Sequence, residues 1–252
     1  TAASKTISGG APADEEHGMP LNRTLHRAAT NGDVDALNAL PRLFSASKEL
    51  EGLRRAFPQA TILSGEEATE ENVRDIFGSS RGDGYAIVHI ATHALTETSL
   101  AQRCALALTR RGVDGSPQND GLLDVLEIQL TWNLDAELVT MSGCQTLSAW
   151  VWHRGEPTGL TTTLLSVGAR SVVSNLWKVD DLSAAKLMSR FYENLSGRYD
   201  RSSDGNGGRP MTKAQALVEA KNWLRDYRDA SGNKPFAHPV YWSGFILLGD
   251  PD

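Results

Sequence analysis

Tyr85-Ala86-Ile87-Val88-His89-Ile90-Ala91-Thr92-His93-Ala94 and, further along, Ala136-Glu137-Leu138-Val139-Thr140-Met141-Ser142-Gly143-Cys144-Gln145-Thr146 decide how this chain is read. Each begins with an apolar run of strand length and ends in a reactive side chain, the first in His93, the second in Cys144. Continuous apolar runs of this kind read as strands buried on both faces, the pattern of a parallel sheet covered by helices. In open α/β sheets the carboxyl ends of the strands are where ligands bind. The two stretches therefore predict a His and a Cys delivered to one sheet edge, where they form a nucleophile and its proton-transfer partner.

Helix and strand signals alternate outward from these stretches. Ser47 to Phe57 carries Leu50, Leu53 and Phe57 at helical spacing and stops at Pro58. Ala60–Leu63 reads as a short strand. Thr69-Glu70-Glu71-Asn72 opens a helix with an N-cap and an acidic first turn, with Val73, Ile76 and Phe77 inward. After strand 85–91 come a strand at Cys104–Leu108, a polar loop over 110–121 and the strand 137–141. Glu156 to Val167 reads as a helix closed by Gly168, and Arg170 to Leu176 as another buried strand. Asp180 to Leu195 has an amphipathic helical pattern, 197–210 reads as a mobile surface loop, Thr212 to Tyr227 as a last helix and Phe245–Leu248 as a last strand. Strands separated by helices predict an α/β fold with a mostly parallel central sheet flanked by helices.

The first 40 residues read differently. They are small and polar, with Gly9-Gly10, Pro12 and an acidic cluster, and only Lys5-Thr6-Ile7-Ser8 hints at a strand. Thr24–Asp33 resembles the first helix of an ankyrin repeat, but no second copy follows, and a single unit cannot bury its own face. The expected organisation is a flexible segment or linker over 1–40, from a larger protein, and one domain over 41–252.

Composition narrows the function classes. Hydrophobic residues are 40% and charged residues 22% of the 252, as in ordinary globular proteins. A net charge of −6 without a block of like charge argues against direct nucleic-acid binding. No apolar run approaches the ~20 residues needed to cross a bilayer, and residues 1–20 lack the apolar segment of a signal peptide. Two cysteines, Cys104 and Cys144, make no disulfide framework, so a reducing, cytoplasmic setting is expected.

A free thiol with a pKa near 8.5 is only a few per cent ionised at neutral pH, so a thiol nucleophile needs a neighbour such as His to take its proton or to protonate the leaving amine. Cys144 follows Ser142-Gly143, where a small residue allows a tight turn whose N–H groups face an oxyanion. The bland alternative is a buried apolar Cys. His89, four residues before His93, reads as structural. A metal held by His89, His93 and Cys144 is disfavoured, since no carboxylate stands at ligand spacing, and no cofactor is expected. The residues favour a cysteine peptidase.

These segments resemble the CHAT peptidases, caspase-like clan CD relatives of separase often attached to tetratricopeptide repeats. The resemblance covers about residues 41–252. His89-Ile90-Ala91-Thr92-His93 is similar to the family's His motif and Ser142–Thr146 to its Cys motif. Gly155-Glu156-Pro157-Thr158-Gly159-Leu160 is similar to its Glu/Gly segment. Gly168–Asp181 carries the Trp-x-Val-x-Asp signature, and His238–Phe245 resembles the closing segment. The resemblance implies a caspase-like three-layer sandwich and peptide-bond hydrolysis through a thioester, with His93 and Cys144 as the dyad. Backbone N–H groups of Ala94, Gly143 and Cys144 would form the oxyanion hole. Two residues depart from the usual pattern, Ala94 where Gly is common and Gly143 where Ala is commoner, and Ala94 would be strained if its backbone needed a glycine-type angle.

The resemblance further implies that Asp181, with Asp180 beside it and Glu156 contributing, lines the pocket for the side chain before the scissile bond. A carboxylate there selects a protein substrate with Arg or Lys, because leaving it unpaired costs about 2–5 kcal/mol. The competing reading is that Asp180 and Asp181 cap the following helix and Glu156 sits at a helix N-terminus. Regulation by an upstream domain or an activating partner, in antiviral defence or cell death, is the expected context. The alternatives are a catalytically inactive CHAT-like scaffold or protein-binding domain, and a Cys-His amidase or acyltransferase on another α/β fold.

Overall fold

The computed structural model describes residues 43, 46–78, 85–94, 104–110, 119–142, 159–199 and 208–252, with the backbone alone of 2–4, 95, 151–153 and 156–158. Its centre is a four-stranded sheet built from β3 (Ile87–Ile90), β7 (Leu138–Met141), β10 (Ser171–Asn175) and β11 (Phe245–Gly249). Their spatial order is β11-β10-β7-β3. β3, β7 and β10 run parallel, and β11 closes the edge antiparallel to β10. The mostly parallel sheet is as the alternation predicts.

Successive strand residues point to opposite faces, and each face is covered by helices. On one side Val88, Ile90, Val139, Met141 and Val172 join a core that includes Val73, Phe77, Ile128 and Leu164. These come from α2 (Glu70–Phe77), α3 (Val125–Thr131) and α4 (Leu160–Ser166). On the other side Leu138, Val173 and Phe245 join Leu53, Leu187, Phe191 and Leu217. Those helices are α1 (Ala46–Ala56), α5 (Asp181–Ser196) and α6 (Lys213–Asp226). Helix, sheet and helix make the three-layer sandwich.

Local chemistry sets the helix starts. Thr69 accepts the Asn72 N–H at 3.2 Å to open α2. Asp124 and Glu127 form a capping box on α3, as do Thr212 and Gln215 on α6. Asp180 accepts the Ser183 N–H at 2.9 Å to open α5. α1 buries Ala46, Glu49, Leu50, Leu53 and Ala56, a stripe at helical spacing. Within it Gly52 permits a close approach to α5, since a Cβ there would stand 2.2 Å from Ser189 Oγ.

Three features depart from the sequence-based expectation. A separate antiparallel sheet joins β4 (Ala94–Leu95), β5 (Ala105–Ala107) and β6 (Leu122–Asp124) in that order. Neither β6 nor α3 is expected from the sequence reading. The helix expected over 156–167 is shorter, because β8 (Val151–His153) and β9 (Glu156–Thr158) form a hairpin before α4 begins at Leu160. Pro157 suits a two-stranded hairpin, where both strands are edges. The backbone of β1 (Ala2–Ser4) pairs in parallel with β2 (Ile62–Ser64). The strand hint at 5–8, the ankyrin-like stretch at 24–33 and residues 200–207 of the expected loop lie outside the described residues.

Candidate active site

Register brings the two decisive stretches together. Ile90 pairs with Met141 across β3 and β7, and Ser142 N–H extends the ladder to Ile90 O at 3.0 Å. The chain leaves both strands at the same edge and in the same direction. His93 is the third residue past Ile90, and Cys144 is the third past Met141. Gly143 and Cys144 themselves lie outside the described residues.

His93 is half-buried, and its carbonyl accepts the Ala107 N–H at 2.9 Å. Thr92 Oγ1 donates to the carbonyl of the same Ala107, fixing the turn from the other side. Ala94, opening β4, pairs with Leu106. Antiparallel ladders alternate hydrogen-bonded and open pairs. Since Ala107 bonds His93, Ala94 with Leu106 is an open pair, and the Ala94 N–H points away from β5. A strand conformation suits alanine, so the absence of glycine at 94 carries no backbone strain here.

The start of α5 supplies carboxylates to the same edge, one step beyond the end of β10. Asp180 is exposed, and its side chain is committed to capping Ser183. Asp181 is half-buried. Burial pushes its carboxyl above the ordinary aspartate range, Asp180 and Glu49 push it the same way, and Lys178 and His93 pull it down. His93 and Glu49 thus each lie within electrostatic reach of Asp181. Of the adjacent aspartates, Asp180 caps the helix and Asp181 is half-buried. Glu156 has its backbone in β9, opposite His153, and its side chain lies outside the described residues.

Motif residues distant in sequence also meet. Trp177 Nε1 donates to Val240 O at 3.0 Å, and Leu176 N–H to Gly244 O at 2.8 Å. A Cβ on Gly244 would stand 2.9 Å from the Trp177 ring. The closing segment therefore packs on the signature tryptophan beside the sheet edge. A family model described as CHAT domain matches residues 9–250. The chain belongs to the CHAT domain family.

CHAT domains are related to caspase-like clan CD peptidases. This CHAT domain is 29% identical over 126 residues to the human (Homo sapiens) Tetratricopeptide repeat protein 28, a match covering 50% of the chain and 4% of that relative. Among solved structures it is similar to a complex of Porphyromonas gingivalis RgpB pro- and mature domains, with a TM-score of 0.44 and 12% identity. That alignment covers 99% of this chain and 46% of the other. The CHAT domain thus spans a small part of the curated relative and under half of the solved one. Among the described residues no helix is long and apolar enough to cross a membrane.

Sequence reasoning missed Glu49. It projects from α1 onto the sheet at 3% exposure, and its Oε2 lies 3.0 Å from His89 Nε2. Ser142 Oγ donates to the same oxygen. A carboxylate only accepts, so the His89 Nε2–H donates to it, and Nδ1 meets the Tyr192 hydroxyl at 2.7 Å. Burial and the Glu49 charge push the Tyr192 phenol upward, while the Thr140 hydroxyl beside it acts in the opposite sense. Both His89 nitrogens are engaged in this network, in keeping with its reading as structural. The available signal was an acid inside the apolar stripe Ala46, Leu50, Leu53, a position where only a partnered charge is tolerated.

Proposed function

We propose that this CHAT domain is a cysteine endopeptidase that cleaves after Arg or Lys through a His93–Cys144 dyad. The observation that carries the reading is the register of β3 on β7, with His93 and Cys144 each three residues past the Ile90–Met141 pair. In the reaction the Cys144 thiolate attacks the scissile carbonyl, forming a C–S bond and a tetrahedral oxyanion. The outward N–H of Ala94 is available to that oxyanion, with the N–H groups of Gly143 and Cys144 as the other donors. As the intermediate collapses the C–N bond breaks, His93 protonates the departing amine, and a thioester remains. Water then attacks the thioester, giving up a proton to His93, and the thiol is released.

Asp181 supports the basic preference, because its half-buried carboxyl lies close enough to His93 to feel its charge while Asp180 takes the capping role. The family resemblance adds Asp180 and Glu156 to the same proposed pocket. An upstream domain or activating partner is the proposed source of control, consistent with similarity to a protein named for tetratricopeptide repeats. A cytoplasmic role in antiviral defence or cell death is proposed as the context. Turnover of fluorogenic peptides ending in Arg, in Asp and in a neutral residue tests the reading on wild type and Cys144→Ala. Arg-selective turnover lost in Cys144→Ala supports it. Turnover that survives the substitution, or none in either protein with the activating partner present, refutes it and favours the inactive scaffold.

A further inference from the structure

The chemistry above uses neither Glu49, Ser142 nor His89, yet these three groups share one oxygen beneath the site. A carboxylate at 3% exposure is costly unless its oxygens are bonded. Here Glu49 Oε2 takes one hydrogen bond from His89 on β3 and one from Ser142 at the end of β7. Tyr192 on α5, fully buried, holds the far side of the His89 ring. The chain of bonds runs from the apolar core to the sheet edge, and Ser142 is its outermost member. Two residues later comes Cys144.

We propose that Glu49 is a positioning residue: by accepting from Ser142 Oγ it fixes Ser142, the residue from which the chain continues to Gly143 and Cys144, with His89 and Tyr192 orienting the carboxylate. The function assigned to Cys144 rests on the peptidase reading; the tether stands on the hydrogen bonds. Without it, β7 still ends at Ser142, held by the Ser142 N–H on Ile90 O, but the side-chain restraint on the residues that follow is gone.

The test is the rate of Cys144 alkylation by iodoacetamide, followed by intact mass and peptide mapping. Wild type, Ser142→Ala, Ser142→Thr, Glu49→Ala and the Ser142→Ala/Glu49→Ala double variant are compared. Cys104, fully buried, is the internal control, since it labels only where the fold is lost. Ser142→Ala is expected to change the Cys144 rate about fivefold, the equivalent of one hydrogen bond, and Ser142→Thr to restore it to within about twofold. The double variant should match Glu49→Ala, because both substitutions cut one link. Glu49→Ala also unpairs His89, so if Cys104 becomes reactive there, Ser142→Ala and Ser142→Thr carry the test. A Ser142→Ala rate within about twofold of wild type, or single effects that multiply in the double variant, overturns the proposal. Arg-peptide turnover measured alongside separates the two claims. Equal turnover by wild type and Cys144→Ala defeats the peptidase reading, whereas the alkylation pattern decides the tether in either case.

Discussion

Replacing Glu70 by glutamine tests the electrostatics of the layer opposite the site. Glu70, at the start of α2, is 2% exposed, and its Oε1 accepts the Gly121 N–H at 2.6 Å. Its Oε2 stands 3.9 Å from Arg74. Burial pushes the carboxyl from 4.5 to about 8; the Gly121 bond opposes this, Glu127 and Asp120 add to it, and Arg74 opposes it weakly. The folded state therefore holds a proton that the unfolded chain releases above about 4.5. Stability from this group is full below that pH and is lost as pH rises toward 8. At 1.36 kcal/mol per pH unit, the loss across the window has a ceiling of about 5 kcal/mol. Local rearrangement and water entry reduce it, so about 2–3 kcal/mol is expected in practice. Glutamine retains an acceptor for Gly121 and cannot ionise. Urea unfolding from pH 5 to 9 should show E70Q close to wild type at pH 5 and more stable by about 2–3 kcal/mol at pH 9. A shallower slope remains in E70Q, because Glu127 is itself raised to about 7 by burial, against the Asp124 backbone hydrogen bond and with Asp124 and Asp120 adding to it, none of which the substitution removes. A difference between the proteins that does not vary with pH would refute the reasoning.

Three further outcomes follow from the site. Asp181→Asn should lower kcat/KM for Arg peptides by about 2–5 kcal/mol in equivalent free energy while leaving neutral peptides nearly unchanged, and equal losses for both would remove Asp181 from the pocket. Because the Asp181 carboxyl titrates above the ordinary aspartate range, Arg selectivity in the wild type should fade on acidification before a surface aspartate would protonate. A KM ratio for Arg over neutral peptides that stays flat down to pH 4 contradicts this. Gly52→Ala gains about 1 kcal/mol of helix propensity but drives a methyl into Ser189, a cost of about 1–3 kcal/mol. Net destabilisation in urea, partly recovered by adding Ser189→Ala, is the expected result, and a more stable single variant would count against the tight α1–α5 contact.

The central sheet was legible because its strands are buried on both faces and carry adjacent apolar residues such as Ile87-Val88, Leu138-Val139 and Val172-Val173. Ile87–Ile90, Leu138–Met141 and Ser171–Asn175 read as buried runs whichever helix covers them. Helix starts at Thr69, Asp180 and Thr212 were legible because a cap is a local bond between residues three apart. Of the antiparallel β4–β5–β6 sheet β5 was legible, within the strand expected at Cys104–Leu108, whereas β4 and β6 have two and three residues and gain their identity from partners elsewhere. β6 and α3 carried one usable signal, the Asp124–Glu127 capping box ahead of Ile128. For the candidate site, the sequence named His93 and Cys144 as a dyad and offered helix capping as one duty for Asp180, and the cap is seen. The network under it was hidden, because His89 finds Glu49 at a separation of 40 residues and Tyr192 at 103.

Glu49 rides on a helix and not on the sheet, so the layer beneath the strand ends is assembled from two separate elements. α1 fits α5 through the Gly52 notch, and its N-terminal end continues into the chain before residue 46. Sliding α1 by one helical turn would carry the carboxylate about 5.4 Å, enough to strand the His89 imidazole and release the serine while every strand of the sheet stayed put. Any displacement of α1 along its axis would therefore reach the sheet edge through the Glu49–Ser142 bond.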